Sequence, residues 1–89
     1  VFLAKVRGTV VSTSKDERLV GFKLLLVQRL GIEEEYIGMP QVAVDTVGAG
    51  VGATVIVTGG SSARVSARPD SPIDATIVGI VDAVEIGAR

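Results

Sequence analysis

The sequence predicts an all-β fold, a small five-stranded barrel with one short helix. Three observations carry that prediction. Apolar and polar residues alternate with a period of two near both ends of the chain. Short β-branched runs recur between clusters of glycine, proline and charge. Five short strands in 89 residues most simply close on themselves, which hides the sheet edges that would otherwise recruit other chains. At this length a single domain, 1–89, is the expectation.

The first strand is placed at Phe2 to Thr13, with Phe2, Ala4, Val6, Gly8 and Val10 on one face and Leu3, Lys5, Arg7, Thr9 and Val11 on the other. The polar connector Ser14 to Arg18 ends it. Phe22 to Leu30 is apolar on both faces through its middle, as in a strand covered on both sides. A helix also fits Leu24 to Leu30, but the run is short, Gly21 and Gly31 bracket it, and no good cap precedes it. Gly31 to Pro40 carries three adjacent carboxylates between glycines and ends in proline, so it reads as an exposed hairpin loop.

Gln41 to Asp45 and Thr54 to Thr58 are short β-branched strands, joined by a tight loop with glycine at alternate positions 48, 50 and 52. Gly59 to Val65 supports one or two turns of helix, because its serines can accept from the free N–H groups of a starting turn. Arg68 to Pro72 is an extended, proline-punctuated link. Thr76 to Ile86 alternates again and closes the chain as the last strand.

Composition narrows the function. Histidine, the usual general base and metal ligand, is absent, and so is cysteine, the usual thiolate nucleophile. No disulfide framework is available, and nothing points to an oxidising compartment. No apolar stretch reaches the roughly 18 residues of a spanning helix. The N-terminus is apolar before it is basic, the reverse of a secretory signal, so a cytosolic location is expected and no membrane partner. Nine basic and ten acidic residues give a net charge of −1, which offers no field for collecting phosphates and favours a protein partner over nucleic acid. A hydrophobic share of 47% exceeds what one small core consumes, which suggests burial against another subunit.

That surplus has a location. Between Glu35 and Arg64 the only charged side chain is Asp45, which leaves almost nothing to solvate an exposed face. An interior strand would explain it, but glycine-rich loops belong at the surface, so a subunit interface is the preferred reading. Gly48-Ala49-Gly50-Val51-Gly52 invites a phosphate-loop reading, yet the dinucleotide fingerprint needs a helix after the glycines and Thr54 to Thr58 reads as strand. Gly60-Ser61-Ser62 ahead of Arg64 could hold an anion at a helix N-terminus, although an ordinary cap with a surface arginine is the plainer reading. Asp45, Asp74, Asp82 and Glu85 lie in or beside strands. No pocket is evident for an acid–base pair among them. Asp74 reads as a cap for the last strand, with Asp82 and Glu85 on the exterior or paired across an interface, Arg7 and Lys5 being plausible partners. An OB-like barrel raises nucleic-acid or ligand binding as a rival, but such grooves stack bases on aromatic rings. Phe2, Phe22 and Tyr36 are the only aromatics, and two of them are placed to fill a core.

Several blocks together are highly specific: Phe2-Leu3, Val6 with Gly8-Thr9-Val10-Val11, Leu19-Val20-Gly21, Lys23-Leu24-Leu25, Val27-Gln28, and the run from Val42 to Gly52. Gly60-Ser61-Ser62-Ala63-Arg64, Asp74-Ala75 and Ile77 to Asp82 follow in order. Over nearly its entire length the chain resembles the EutN/CcmL family. The resemblance implies a shell protein of a bacterial microcompartment, of the pentameric vertex type, located in the bacterial cytoplasm within that shell. It implies a β-barrel of OB-like topology in a homopentamer, with hexameric shell proteins of a different fold tiling the facets. Flat hexagonal tiling cannot close without pentagons, which is the mechanical role of this class. No catalysis, cofactor or metal is implied. Matched motif to motif, Asp45 and the Gly48-Ala49-Gly50 loop would lie near subunit contacts and the five-fold axis, and Ser61, Ser62 and Arg64 in a helical turn that meets a neighbour.

Overall fold

A computed structural model describes residues 1–13, 15–60 and 73–87. Five strands, β1 (Phe2–Val10), β2 (Lys23–Leu30), β3 (Tyr36–Asp45), β4 (Thr54–Gly59) and β5 (Ala75–Val81), form a closed barrel in the order β1-β2-β3-β5-β4. Every neighbouring pair is antiparallel except β3 with β5, which run parallel and pair only at Val44↔Thr76 and Asp45↔Ile77.

Alternation does what the sequence promised on the inner face. Ala4 and Val6 of β1, Leu25 and Val27 of β2, Val55 and Val57 of β4, and Ala75 and Ile77 of β5 share one buried cluster with Ala43 and Ala49, and Phe2 packs against it. A second cluster joins buried Val44 and Ile73 with half-buried Leu19, Phe22 and Leu24. Phe2 and Phe22 are thus core aromatics, while Tyr36 is exposed.

Three strand limits differ from the expectation by more than one residue, each for a pairing reason. β1 stops at Val10 rather than Thr13, because Val10↔Leu24 is its last partner on β2. β5 stops at Val81 rather than Ile86, because Val81↔Thr54 is the last pair β4 can offer. The expected loop Gly31 to Pro40 is shorter: Gly31 N–H donates to Glu35 O at 2.9 Å and Glu34 N–H to Gly31 O at 3.0 Å. That tight turn, with Glu34 at a φ of 62°, returns the chain to β3 at Tyr36. The expected helical turn lies outside the described residues from Ser61 onward, as does the link Arg68 to Pro72.

The connector after β1 holds a short 3-10 turn, Glu17–Leu19, capped by Asp16. One Asp16 oxygen accepts from the Arg18 backbone N–H at 2.9 Å and from Arg18 Nε at 3.0 Å, and the other from Arg18 Nη2 at 2.9 Å. The Arg18 side chain first, then its backbone N–H, holds the Asp16 carboxyl down at about 2, against an ordinary 3.8.

A fully buried leucine contributes about 1.5–3 kcal/mol, and truncation adds the cost of a cavity. Leu25→Ala should therefore destabilise the chain by about 2–5 kcal/mol, read as a lower urea midpoint at fixed protein concentration. Asp16 should titrate near 2 by NMR, and Arg18→Ala should move that midpoint up toward the ordinary value. Because the folded-state pKa is lowered, the associated stability is present above the ordinary pKa and is lost as pH falls through about 2. A midpoint unchanged by Arg18→Ala would contradict the assignment.

Candidate functional site

The loop from Asp45 to Ala53 is built around one carboxylate. Asp45 ends β3 with 9% of its surface exposed. Its Oδ1 accepts the N–H groups of Val47 at 3.0 Å and Gly48 at 3.1 Å, and its Oδ2 accepts that of Ala49 at 2.9 Å. An aspartate turning back on the next residues is the short-range bonding that favours turns, and three charge-assisted acceptances stabilise a carboxylate kept from water. Gly48, at a φ of 81°, lets three successive N–H groups converge.

The same loop is fastened on its other side. The Ala49 methyl is fully buried in the main core, and Ala49 O accepts from Lys23 Nζ at 2.9 Å. Thr46 Oγ1 donates to Ile77 O at 2.7 Å. Gly52 N–H donates to Val6 O at 2.8 Å, Val6 N–H to Ala53 O at 2.9 Å, and Ala53 N–H to Gly50 O at 3.1 Å. Lys5 Nζ donates to Gly52 O at 3.3 Å and to Thr54 Oγ1 at 3.1 Å. Despite its glycines, this loop is tied to the barrel at nearly every step. It cannot cradle a phosphate, because the N–H groups of Val47, Gly48 and Ala49 already donate to Asp45 and β4 follows directly.

What the loop presents outward is apolar or small: Val47, Gly48, Gly50, Val51 and Gly52 are exposed. Gly48 and Gly52 sit in the left-handed region. Gly50 does not, and a Cβ there would meet nothing within 4 Å. The structure thus separates the residues singled out by sequence. Asp45 and Ala49 hold the loop from inside, Gly48 and Gly50 lie on its surface, and Ser61, Ser62 and Arg64 lie outside the described residues.

A second feature had no signal in the strand pattern. Where β2 meets the first half of β3, Val27 faces Gln41 and Arg29 faces Ile37, so Gln28 alone opposes Gly38, Met39 and Pro40. Gly38 takes a φ of 70°. The Gln28 side chain, only 4% exposed, donates from Nε2 to Ile37 O at 3.0 Å and Gly38 O at 2.7 Å. This clamped bulge displays Met39, which is 87% exposed, beside exposed Tyr36, Ile37 and Val42. A buried glutamine opposite a Gly-x-Pro triplet was the available clue.

Charges on the sheet find aromatic rings. The Arg7 guanidinium lies 4.4 Å from the centroid of Tyr36, and that of Arg29 4.9 Å from Phe2, contacts in which a cation is attracted to the ring face. Within the chain, Lys5 and Arg7 contact the loop and Tyr36, and neither forms an ion pair with Asp82 or Glu85. Asp82 does line a concavity, which sequence did not reveal: an open cleft of about 570 Å3 between the N-terminus, the β2–β3 turn and the segment after β5. Among the described residues no group of three acidic, histidine or cysteine side chains is placed to hold a metal.

Fold and site together define a small OB-like barrel whose glycine loop is tied to the core and exposes uncharged residues, a surface suited to packing against protein. Comparison with known proteins narrows this class. Residues 1–82 match the family described as ethanolamine utilisation protein EutN/carboxysome. The chain is 60% identical over 86 residues to the bacterial microcompartment shell vertex protein GrpN of Rhodospirillum rubrum, covering 96% of this chain and 97% of that protein. It is 53% identical over 85 residues to the shell vertex protein PduN of Salmonella typhimurium, covering 90% and 93%. Its fold superposes on the solved GrpN pentameric microcompartment shell protein from Rhodospirillum rubrum with a TM-score of 0.88 at 57% identity, over 99% of this chain and 100% of that one. The chain belongs to the EutN/CcmL family.

Replacing the loop's central acceptor tests its role. Asp45→Asn turns an amide toward N–H donors and should cost about 1–3 kcal/mol. Hydrogen exchange at the amides of Val47, Gly48 and Ala49 should accelerate together. Unchanged protection at all three would show that the loop is held by other groups.

Proposed function

We propose that this chain forms pentamers that cap the vertices of a polyhedral bacterial microcompartment shell in the bacterial cytoplasm, as one domain over residues 1–89. The observation that carries the reading is 60% identity over nearly the full length to a shell vertex protein, joined to a fold shared with a pentameric shell protein. The chain acts by shape, without catalysis, and its partners are its own copies and the hexameric proteins of the facets. No observation favours nucleic acid: Phe2 and Phe22 pack inward, and the ring of Tyr36 already carries Arg7.

The loop is a contact between copies on this reading. From Tyr36 to Gly60 the only charged side chain is Asp45, and its carboxylate is turned inward. Surfaces that bury on assembly lose charge in just this way. Asp45 and Ala49 fix the loop, Gly48 and Gly50 let copies approach the symmetry axis, and Ser61, Ser62 and Arg64, outside the described residues, are expected to join the same contact. Rigid elements assemble well because little freedom is lost when they meet.

Native mass spectrometry should find homopentamers at micromolar concentration. Gly50→Arg should abolish them while circular dichroism keeps its β signature, because a side chain at Gly50 enters open space in the single chain but brings bulk and charge to the contact. Pentamers of Gly50→Arg as abundant as the parent's would remove this loop from the contact. A parent chain that stays monomeric would count against the vertex role itself.

A further inference from the structure

Lys23 opens β2 directly across from Asp45 in the β2–β3 register, yet this cation and this carboxylate form no ion pair. Both Asp45 oxygens are turned into the loop, where they accept from Val47, Gly48 and Ala49. The Lys23 ammonium donates instead to Ala49 O, at 2.9 Å.

That bond falls at a joint of the loop. Before the joint, Val47 to Ala49 hang on Asp45, and the Ala49 methyl is buried in the core. After it, Gly50 to Ala53 is a tight turn closed by Ala53 N–H to Gly50 O at 3.1 Å, with Gly52 at a φ of 92°. Gly52 is itself tied at both ends, through its N–H to Val6 O and through its carbonyl to Lys5. The peptide between Ala49 and Gly50 links these two fixed halves. Its N–H, on Gly50, meets no acceptor among the described residues. Among those residues, Lys23 is therefore the one group bonded to this peptide. Glycine at position 50 would tolerate the opposite orientation of the peptide, because it takes either sign of φ at little cost.

We infer that Lys23 is a positioning residue for the contact between copies: by holding Ala49 O it selects one orientation of the Ala49–Gly50 peptide and presents Gly50 N–H to an oxygen acceptor of the next subunit. This rests on the loop reading above and deepens it. In a trans peptide, as here, carbonyl and N–H point in opposite directions. With the carbonyl drawn to Lys23, the N–H faces away from the ammonium on an exposed residue, and a Cβ there would meet nothing within 4 Å. Turned over, the peptide would offer the next subunit an acceptor in place of a donor, and a partner built for one rejects the other. An ammonium only donates, so it holds the carbonyl orientation and gives nothing to the reverse. Its charge makes that hold stronger than a neutral group's.

Removing the ammonium while keeping an aliphatic stem tests the inference. Lys23 is exposed, so Lys23→Met should leave the barrel folded by circular dichroism. In the unassembled chain the Ala49 carbonyl 13C signal should move, while the amides of Val47, Gly48 and Leu25 keep the parent's protection. The concentration at which half the chain is in rings, read by native mass spectrometry, should rise about tenfold or more, as for a lost hydrogen bond to a charged group. Lys23→Arg keeps a charged donor and should assemble within about threefold of the parent. In rings of the parent, the Gly50 amide should exchange about tenfold or more slower than in the unassembled chain. Four results would each overturn the inference: Lys23→Met rings at the parent's concentration, Lys23→Arg no better than Lys23→Met, Leu25 loosened together with the loop, or a Gly50 amide as open in rings as in the free chain. If Gly50→Arg still abolishes rings in any of these cases, the loop contact stands without Lys23; if it does not, the loop contact falls too. A parent chain that forms no rings would remove the vertex reading and this one together.

Discussion

The barrel closes through its narrowest seam. β3 and β5 meet in parallel over only two residue pairs, and parallel pairing is slightly weaker per residue than antiparallel. The chain compensates at that spot. Thr46 reaches across to Ile77 O, Ile73 packs on Val44 just before β5 begins, and Asp45, the last residue of the seam, accepts from the N–H groups of Val47, Gly48 and Ala49. Closure of the barrel and the shape of the glycine loop therefore depend on one stretch, Val44 to Ala49. A loop with glycine at alternate positions would wander if attached only at its ends. With its carboxylate anchor on one side, a core methyl in the middle and Lys23 and Lys5 on its carbonyls, it keeps a fixed position relative to the core.

Rigidity of this kind suits a protein that works by fitting against copies of itself. Ordering a flexible loop on contact costs free energy that a pre-set loop avoids, and a symmetric ring repeats that cost at every contact. The low charge of the stretch from Tyr36 to Gly60 serves the same end, since ionised groups are expensive to desolvate when they lack a partner. The one charge there is turned inward and hydrogen-bonded by backbone donors.

Most of the barrel is legible in the sequence because its inner face is set by alternation. Ala4 and Val6, Leu25 and Val27, Val55 and Val57, Ala75 and Ile77 all fall where a period of two puts them. The errors arise where pairing overrides local preference. Gly38 and Pro40 read as breakers, and in isolation they are; a buried Gln28 on the opposite strand bonds the carbonyls that the break exposes, so β3 begins at Tyr36. Val84 and Ile86 keep the alternation of a strand, but β4 has no residue left to pair with them. Such facts depend on residues far apart in the chain, which a local pattern does not encode. In the candidate site, the identity of the loop was readable from its glycines and its missing charge. The inward turn of Asp45 and the burial of Ala49 were not, because both follow from the left-handed step at Gly48. The cleft beside Asp82 forms from three separated segments and has no local signature.

The role at the vertex is tested most directly by imaging shells assembled with and without this chain. Shells containing it should be closed polyhedra with this protein at their corners, and shells lacking it should be open or elongated, with gaps where five facets would meet. Shells that close equally well without it, their corners intact, would contradict the role.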